Sequence, residues 1–263
     1  MMLTTRYVTG APNWIEVGTS DGDGATSFYG GLFGWRFRPA GPEAGGYGFF
    51  ELDGRTVAGA RRTAPEQGPP SWTVYFQTHD AAATAEASER ARGGVLVRPA
   101  DAPGQGTAAI LTDRTGARFG LLQPGRLGGL GVAGDSGALC WVELYTADVA
   151  AAAAYYHAVL GLETSAVRFP GAGTYTCVNP AGEGEESMFG GVVPLAGDPV
   201  ESEPHWLPYF AVDDTDAAVA RAGRLGGSVR MPAADIEGVG RLARLADPYG
   251  APFAVLRPSP REL

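Results

Sequence analysis

The stretch PNWIEVGTSDGDGATSFYGGLFGW, Pro12–Trp35, governs the reading of the whole chain because it returns as LCWVELYTADVAAAAAYYHAVLGL, Leu139–Leu162. Trp14, Glu16, Thr19, Asp21, Tyr29 and Gly34 recur as Trp141, Glu143, Thr146, Asp148, Tyr156 and Gly161, at a constant offset of 127. Further out, SWTVYFQTHD from Ser71 returns as HWLPYFAVDD from His205, and TDRTGARFGLLQP from Thr112 resembles ADPYGAPFAVLRP from Ala246. A repeat of this length marks a duplicated domain rather than a short-period solenoid. The segment 125–137 between the copies is Gly-rich and lacks apolar periodicity, so it reads as a linker between domains spanning 10–124 and 138–258.

Each copy divides again. Trp14 to Val17 alternates as a strand does, and Asp21 stands where a helix N-cap belongs. Ala25, Phe28, Tyr29, Leu32 and Phe33 then share one helical face, and Gly34 fits the left-handed position that ends a helix. Strand-like segments follow at Arg36–Arg38, Tyr47–Leu52 and Thr56–Ala60. The order is β-α-β-β-β, repeated more faintly from Trp72 and again from Trp141 and Trp206. The expected fold is α+β, with four such modules forming curved sheets around clefts.

Bulk properties narrow the function. The net charge of −9 is carried by scattered acidic groups, and all 20 basic residues are Arg. Nucleic acid, which demands clustered positive charge, is not an expected partner. No apolar run approaches the roughly 20 residues of a membrane span, and the first ten residues lack a secretory pattern. A cytoplasmic protein with no membrane partner is expected, its two cysteines, Cys140 and Cys177, free and buried.

The phrases D-x6-FYGGLFGW from Asp21, D-x6-YYHAVLGL from Asp148 and DPYGAPFAVL from Asp247, in this order and with fourfold recurrence of the module, resemble the vicinal oxygen chelate superfamily of glyoxalases, bleomycin-resistance proteins and dioxygenases. The resemblance covers nearly the whole chain. It implies paired modules curling into open clefts, and in most catalytic members a divalent metal held by His, Gln and Glu. The positions it assigns to ligands here carry Trp14, Thr73 and Gly120 in the first copy and Trp141, Leu207 and Ala254 in the second. An indole offers no lone pair suited to a metal, and the other side chains supply at most a hydroxyl. Glu51 fits the remaining ligand position, with Asn179 as its counterpart. Three or four converging donors are needed, so neither metal nor organic cofactor is expected. The resemblance also extends to two-domain actinobacterial members labelled hydroxylases or glyoxalases, several of which accompany aromatic polyketide pathways. Module exchange between chains in this family leaves a homodimer open.

Strand parity supplies the candidate site. Residues two apart share a face, so Trp14 brings Glu16 into the first cleft and Trp141 brings Glu143 into the second. The same parity adds Tyr47, Phe49, Glu51 and Tyr75 to one, and Tyr175, Cys177 and Tyr209 to the other. Aromatic walls with a few polar groups suit a flat aromatic ligand bearing hydroxyl or carbonyl groups. Two functions fit: sequestration or delivery of such a compound, or metal-independent acid–base chemistry with Glu16 or Glu143 as the catalytic group. In the second reading, enclosure raises the carboxyl pKa. A carboxylate on an apolar face also needs a partner, for which Arg118 is a candidate. A third arrangement makes one copy structural. GLGVAG, Gly129–Gly134, matches a dinucleotide fingerprint but precedes no helix, and GDSG, Gly134–Gly137, lacks a triad context.

Overall fold

The computed structural model describes residues 3, 5, 7–102, 105–126, 128–169 and 173–259. The first half runs β1 (Pro12–Thr19), α1 (Gly22–Phe33), β2 (Arg36–Pro39), β3 (Gly48–Leu52), β4 (Arg55–Arg62), β5 (Ser71–Gln77), α2 (Ala81–Arg90), β6 (Gly94–Ala102), β7 (Gly106–Thr112) and β8 (Arg118–Pro124). The second repeats it as β9 (Leu139–Thr146), α3 (Val149–Leu160), β10 (Leu162–Phe169), β11 (Gly173–Pro180), β12 (Gly190–Pro194), β13 (His205–Ala211), α4 (Thr215–Arg224), β14 (Ser228–Ile236), β15 (Gly240–Ala246) and β16 (Pro252–Pro258). Each half forms one eight-stranded sheet, in the order β2-β3-β4-β1-β5-β8-β7-β6 and β10-β11-β12-β9-β13-β16-β15-β14. The two halves are tandem α+β domains of one topology.

Two modules meet at the middle of each sheet. β1 runs parallel to β4 of its own module and antiparallel to β5 of the next, with Trp14 opposite Tyr75 and Glu16 opposite Thr73. β9 and β13 repeat the join, with Trp141 opposite Tyr209 and Glu143 opposite Leu207. All eight residues of β1 are buried although its sequence alternates. A central strand with both faces covered loses the burial alternation of a half-solvated one.

The helices begin and end on the residues the sequence marks. Asp21, Asp80, Asp148 and Asp214 each accept a hydrogen bond from a backbone N–H three residues on. Gly34 and Gly161 adopt φ of 77° and 68° at the C-caps of α1 and α3. The apolar stripe of α1 buries Ala25, Phe28, Tyr29 and Leu32.

The two sheets pack through their helix-bearing faces. α1 lies against α4, and α2 against α3. Rings of both halves interlock there: Trp72 sits 5.3 Å from Phe210, and Phe76 sits 5.0 Å from Trp206, centroid to centroid. Two matching relays cross the junction. Trp72 Nε1 donates to the Tyr29 hydroxyl at 3.1 Å, which donates to Asp247 of the second half at 3.0 Å. Trp206 Nε1 donates to Tyr156 at 2.8 Å, which donates to Asp113 of the first half at 3.3 Å. The other oxygen of each aspartate accepts backbone N–H groups of its own turn, from Thr115 and Ala117 or from Tyr249 and Ala251. The connecting segment is also seated: Leu130 N–H bonds to Asn13, Gly131 N–H to Thr56, and Leu130 and Val132 are buried.

Each relay leaves one donor and one acceptor short if its tyrosine hydroxyl is removed. Tyr29→Phe and Tyr156→Phe should each cost about 1–3 kcal/mol in a denaturant titration. The relays share no side chain, so the double variant should be close to additive. Burial holds the Asp247 carboxyl above its ordinary 3.8, against the hydrogen bonds it accepts. Stability tied to this group is therefore full at acid pH and declines as pH rises from about 3.8 through the raised value. Asp247→Asn should flatten that part of the stability–pH curve.

Candidate functional site

β1, β5, β7 and β8 build the floor of a cavity of about 590 Å³ in the first domain. Trp14, Glu16, Tyr75, Ala108 and Leu122 face into it. The β2–β3 connection from Ala40 to Ala44, with Tyr47, covers one side, and Ala102 and Gln105 of the β6–β7 hairpin the other. This volume lies within the usual range for a small-molecule site.

Glu16 is the inner polar group, its side chain only 8% exposed. Arg61 Nε donates to its Oε1 at 2.9 Å and the Tyr75 hydroxyl to the same oxygen at 3.4 Å. Both of these contacts fall on Oε1, and the Tyr47 hydroxyl also lies beside the carboxylate. Tyr47 donates to Gln105 Oε1 at 3.3 Å, tying the two covering loops together. Burial, and then the charge of Glu16, push the Tyr47 and Tyr75 hydroxyls above their ordinary values, so both are donors at neutral pH. Trp14 is 1% exposed. Its indole N–H has no hydrogen-bond partner of normal geometry, although the Tyr47 hydroxyl is near.

Phe49 and Glu51 continue the same face of β3 but lie beside the cavity rather than in its lining. Phe49 meets Trp14 edge-on at 6.0 Å, with the Arg38 guanidinium 4.7 Å above its ring, and Glu51 is bound by Arg38 at 2.5 Å. The sequence offered Arg118 as the partner of Glu16; Arg61 takes that role. The reason is register: Gly59 pairs with Glu16 on β4, and Arg61 follows it on the same face. Arg118 keeps an unpaired, enclosed Nε, and burial with Arg61 close by draws it below the ordinary arginine value.

The second cleft brings together the expected side chains and satisfies them among themselves. Glu143 accepts the hydroxyls of Tyr175 at 2.7 Å, Tyr145 at 2.6 Å and Tyr209 at 2.5 Å, and Trp141 Nε1 donates to Tyr175 at 3.0 Å. Tyr145 occupies the position of Gly18. His205 stacks on it at 5.2 Å and the Arg244 guanidinium lies 4.8 Å from its ring. Arg244 binds Asp198 at 2.8 Å, and Glu201 binds Arg230 at 2.9 Å. Cys177, buried on β11, is pushed up to about 11 by burial, with Glu185 and Glu143 adding to the shift, and buried Cys140 to about 12.

A metal does not fit either cleft. The strand positions that would hold it carry Trp14, Thr73 and Gly120, or Trp141, Leu207 and Ala254, and Glu51 is engaged by Arg38. Among the described residues no three His, Cys, Asp or Glu side chains converge as a ligand set.

Residues 11–121 match the family described as Glyoxalase/Bleomycin resistance protein/Dioxygenase superfamily, and residues 141–256 match a Glyoxalase-like domain. The chain is 37% identical over 269 residues to the protein named "Putative glyoxylase CFP32" of Mycobacterium tuberculosis, with all of both chains covered. It belongs to the glyoxalase/bleomycin resistance/dioxygenase superfamily. Within that superfamily it is also 38% identical over 267 residues to the anthracycline biosynthesis protein DnrV of Streptomyces peucetius, covering 96% of this chain and 94% of that one. Among solved superfamily structures, the Mn(II)-bound glyoxalase of Novosphingobium aromaticivorans aligns with a TM-score of 0.63 at 16% identity, over 96% of this chain and 83% of the other. The 2,3-dioxygenase LapB of Pseudomonas sp. KL28 aligns at 0.65 and 14%, over 97% and 95%. At such identities the shared property is the fold.

Two measurements test the site's internal electrostatics. Arg61→Met strands a carboxylate in an apolar wall and should cost about 1–3 kcal/mol in a urea titration, less than a fully buried pair would because Arg61 is 30% exposed. Arg118→Met should cost less than Arg61→Met, because it removes an unpaired Nε. With both thiols enclosed and shifted to about 11 and 12, the native protein at pH 8 should react with a disulfide thiol reagent far more slowly than the unfolded chain.

Proposed function

We propose that the first domain holds a flat, hydroxylated aromatic compound of secondary metabolism, for sequestration or for delivery to a partner enzyme, without recruiting a metal. The observation that carries this reading is a buried, unpaired indole N–H beside a buried carboxylate in the wall of a cavity of about 590 Å³. An enclosed polar group costs stability unless something satisfies it, and a ligand does so without filling the cavity with protein. Tyr47, Tyr75 and Trp14 supply broad apolar area with polar tips, the chemistry that grips a polycyclic phenol or quinone. A relative named for anthracycline biosynthesis supports this ligand class, since anthracyclines are fused aromatic rings bearing hydroxyl and carbonyl groups.

A second reading rests on the single-sided grip on Glu16. With Arg61 and Tyr75 both on Oε1, the other oxygen can take or give a proton at an enolisable carbonyl or an epoxide of the same compound. Glu143 has no such freedom: both of its oxygens accept tyrosine hydroxyls.

Titration of the purified chain with a panel of hydroxyanthraquinones, followed by calorimetry and tryptophan quenching, should show one equivalent bound per chain, with Trp14→Ala abolishing it. Two equivalents would assign a working site to the second domain as well, and no binding across the panel would overturn the proposal. If turnover of a panel member is found, Glu16→Gln should abolish it; undiminished turnover would remove Glu16 from the chemistry.

A further inference from the structure

Beyond Glu16, the first cleft holds more positive charge than its own side chains balance. Arg61 on β4 and Arg118 on β8 reach it from opposite flanks of β1 and β5. The register places both. Arg61 pairs with Gly18, two residues from Glu16 on the cleft face of β1. Gly120 pairs with Tyr75 on β5, and Arg118, two residues earlier, shares that face. The two guanidinium charges act on one another, and the carboxylate whose charge reaches Arg118 is that of Glu16. Glu16 is already engaged by Arg61 Nε and the Tyr75 hydroxyl, with the Tyr47 hydroxyl in the corner between it and Trp14. Arg118 makes no hydrogen bond or ion pair among the described residues, and its Nε is enclosed. Two cations thus share one carboxylate, in a chain whose net charge is −9. Like charges held together in a partly enclosed place are costly until an anion joins them.

The second cleft has no such excess. Val193 stands in the place of Arg61, paired with Tyr145 on β9. Pro252 stands in the place of Arg118, paired with Ala246 on β15 as Arg118 is with Thr112 on β7. The arginine that this cleft does hold, Arg244, binds Asp198 at 2.8 Å. Gly18 marks the same difference. A Cβ built there would stand 3.8 Å from Arg61 Nη2, so the glycine leaves the guanidinium room over β1, where the second copy has the ring of Tyr145.

We infer that the first cleft takes an aromatic carboxylic acid, with the rings in the cavity against Trp14 and Tyr75 and the carboxylate between Arg118 and Arg61. The inference rests on the ligand-binding reading of that cleft and narrows it to acids. A planar guanidinium matches a carboxylate in both charge and geometry. With the acid bound, two cations face two anions, and Arg118 gains the partner that the protein does not give it.

The test compares anthraquinone-2-carboxylate, anthraquinone-2-carboxamide and anthraquinone at pH 7 by calorimetry. The amide has nearly the shape of the acid and no charge. The carboxylate should bind about tenfold or more tightly than the amide, the factor expected for a hydrogen bond to a charged group. Arg118→Met should abolish that preference and leave the affinity for anthraquinone within about twofold. Arg118→Lys, which keeps the cation but not the planar fork, should retain part of it. Equal affinity for acid and amide in the wild-type protein, or a preference undiminished in Arg118→Met, would overturn the inference and leave the ligand-binding reading in place. If none of the three binds while hydroxyanthraquinones do, the inference falls alone; if neither set binds, both fall.

Discussion

The hydrogen bond from a helix tyrosine of one half to the turn aspartate of the other organises this molecule. Tyr29 reaches Asp247 and Tyr156 reaches Asp113, each with a tryptophan N–H behind it. An aspartate buried against aromatic rings is tolerable because its turn amides and the tyrosine satisfy it. Both members of each bond are fixed in rigid elements, so the relays set how the halves face. The helix-bearing faces are turned inward, and the clefts open away from each other. The apolar mass of the protein lies at this junction, which leaves the cleft walls free to carry polar groups.

Freed from that structural duty, the clefts have diverged. The first keeps Gly18 and Ile110 and retains its cavity. The second has Tyr145 and Arg244 at the matching positions, and with His205, Asp198, Glu201 and Arg230 they form a continuous network of rings and charges. The same glutamate is held by one arginine and one tyrosine in the first domain and by three tyrosines in the second. The Glu143 end of this network is saturated by its three tyrosines, whereas His205 Nε2 and Arg244 Nε are enclosed without a hydrogen-bond partner of normal geometry.

Much of this could be read in the repeat itself. The helix limits followed from Asp21, Gly34, Asp148 and Gly161, because cap residues act locally. Period-two parity grouped Trp14, Glu16, Tyr47 and Tyr75, which meet around the first cavity, but it could not tell that Phe49 and Glu51 lie beside that cavity. Tyr29, Tyr156, Asp113 and Asp247 were visible as recurring letters, but their bonds span 218 and 43 positions and emerge only when the halves dock. Arg61 was missed as the partner of Glu16 because the choice between it and Arg118 depends on the register of β4. Gln105 lies in a hairpin without periodicity, so no pattern marked it. The Gly-rich segment 125–137 read as a loose connector, yet its backbone is hydrogen-bonded to Asn13, Thr56, Leu139 and Ala211. Glycine content reports what a backbone is permitted to do, and tertiary contacts decide what it does.

The inward-facing helix layer also bears on how such a gene can change. Each copy supplies the other's back wall, so neither can be deleted without uncovering Phe28, Trp72, Phe210 and Phe253 or their counterparts. Selection can let one hollow lapse into packing while still requiring its strands. Either copy can alter its own cleft wall while its strands and helices go on backing the other, so change in a hollow need not endanger the whole.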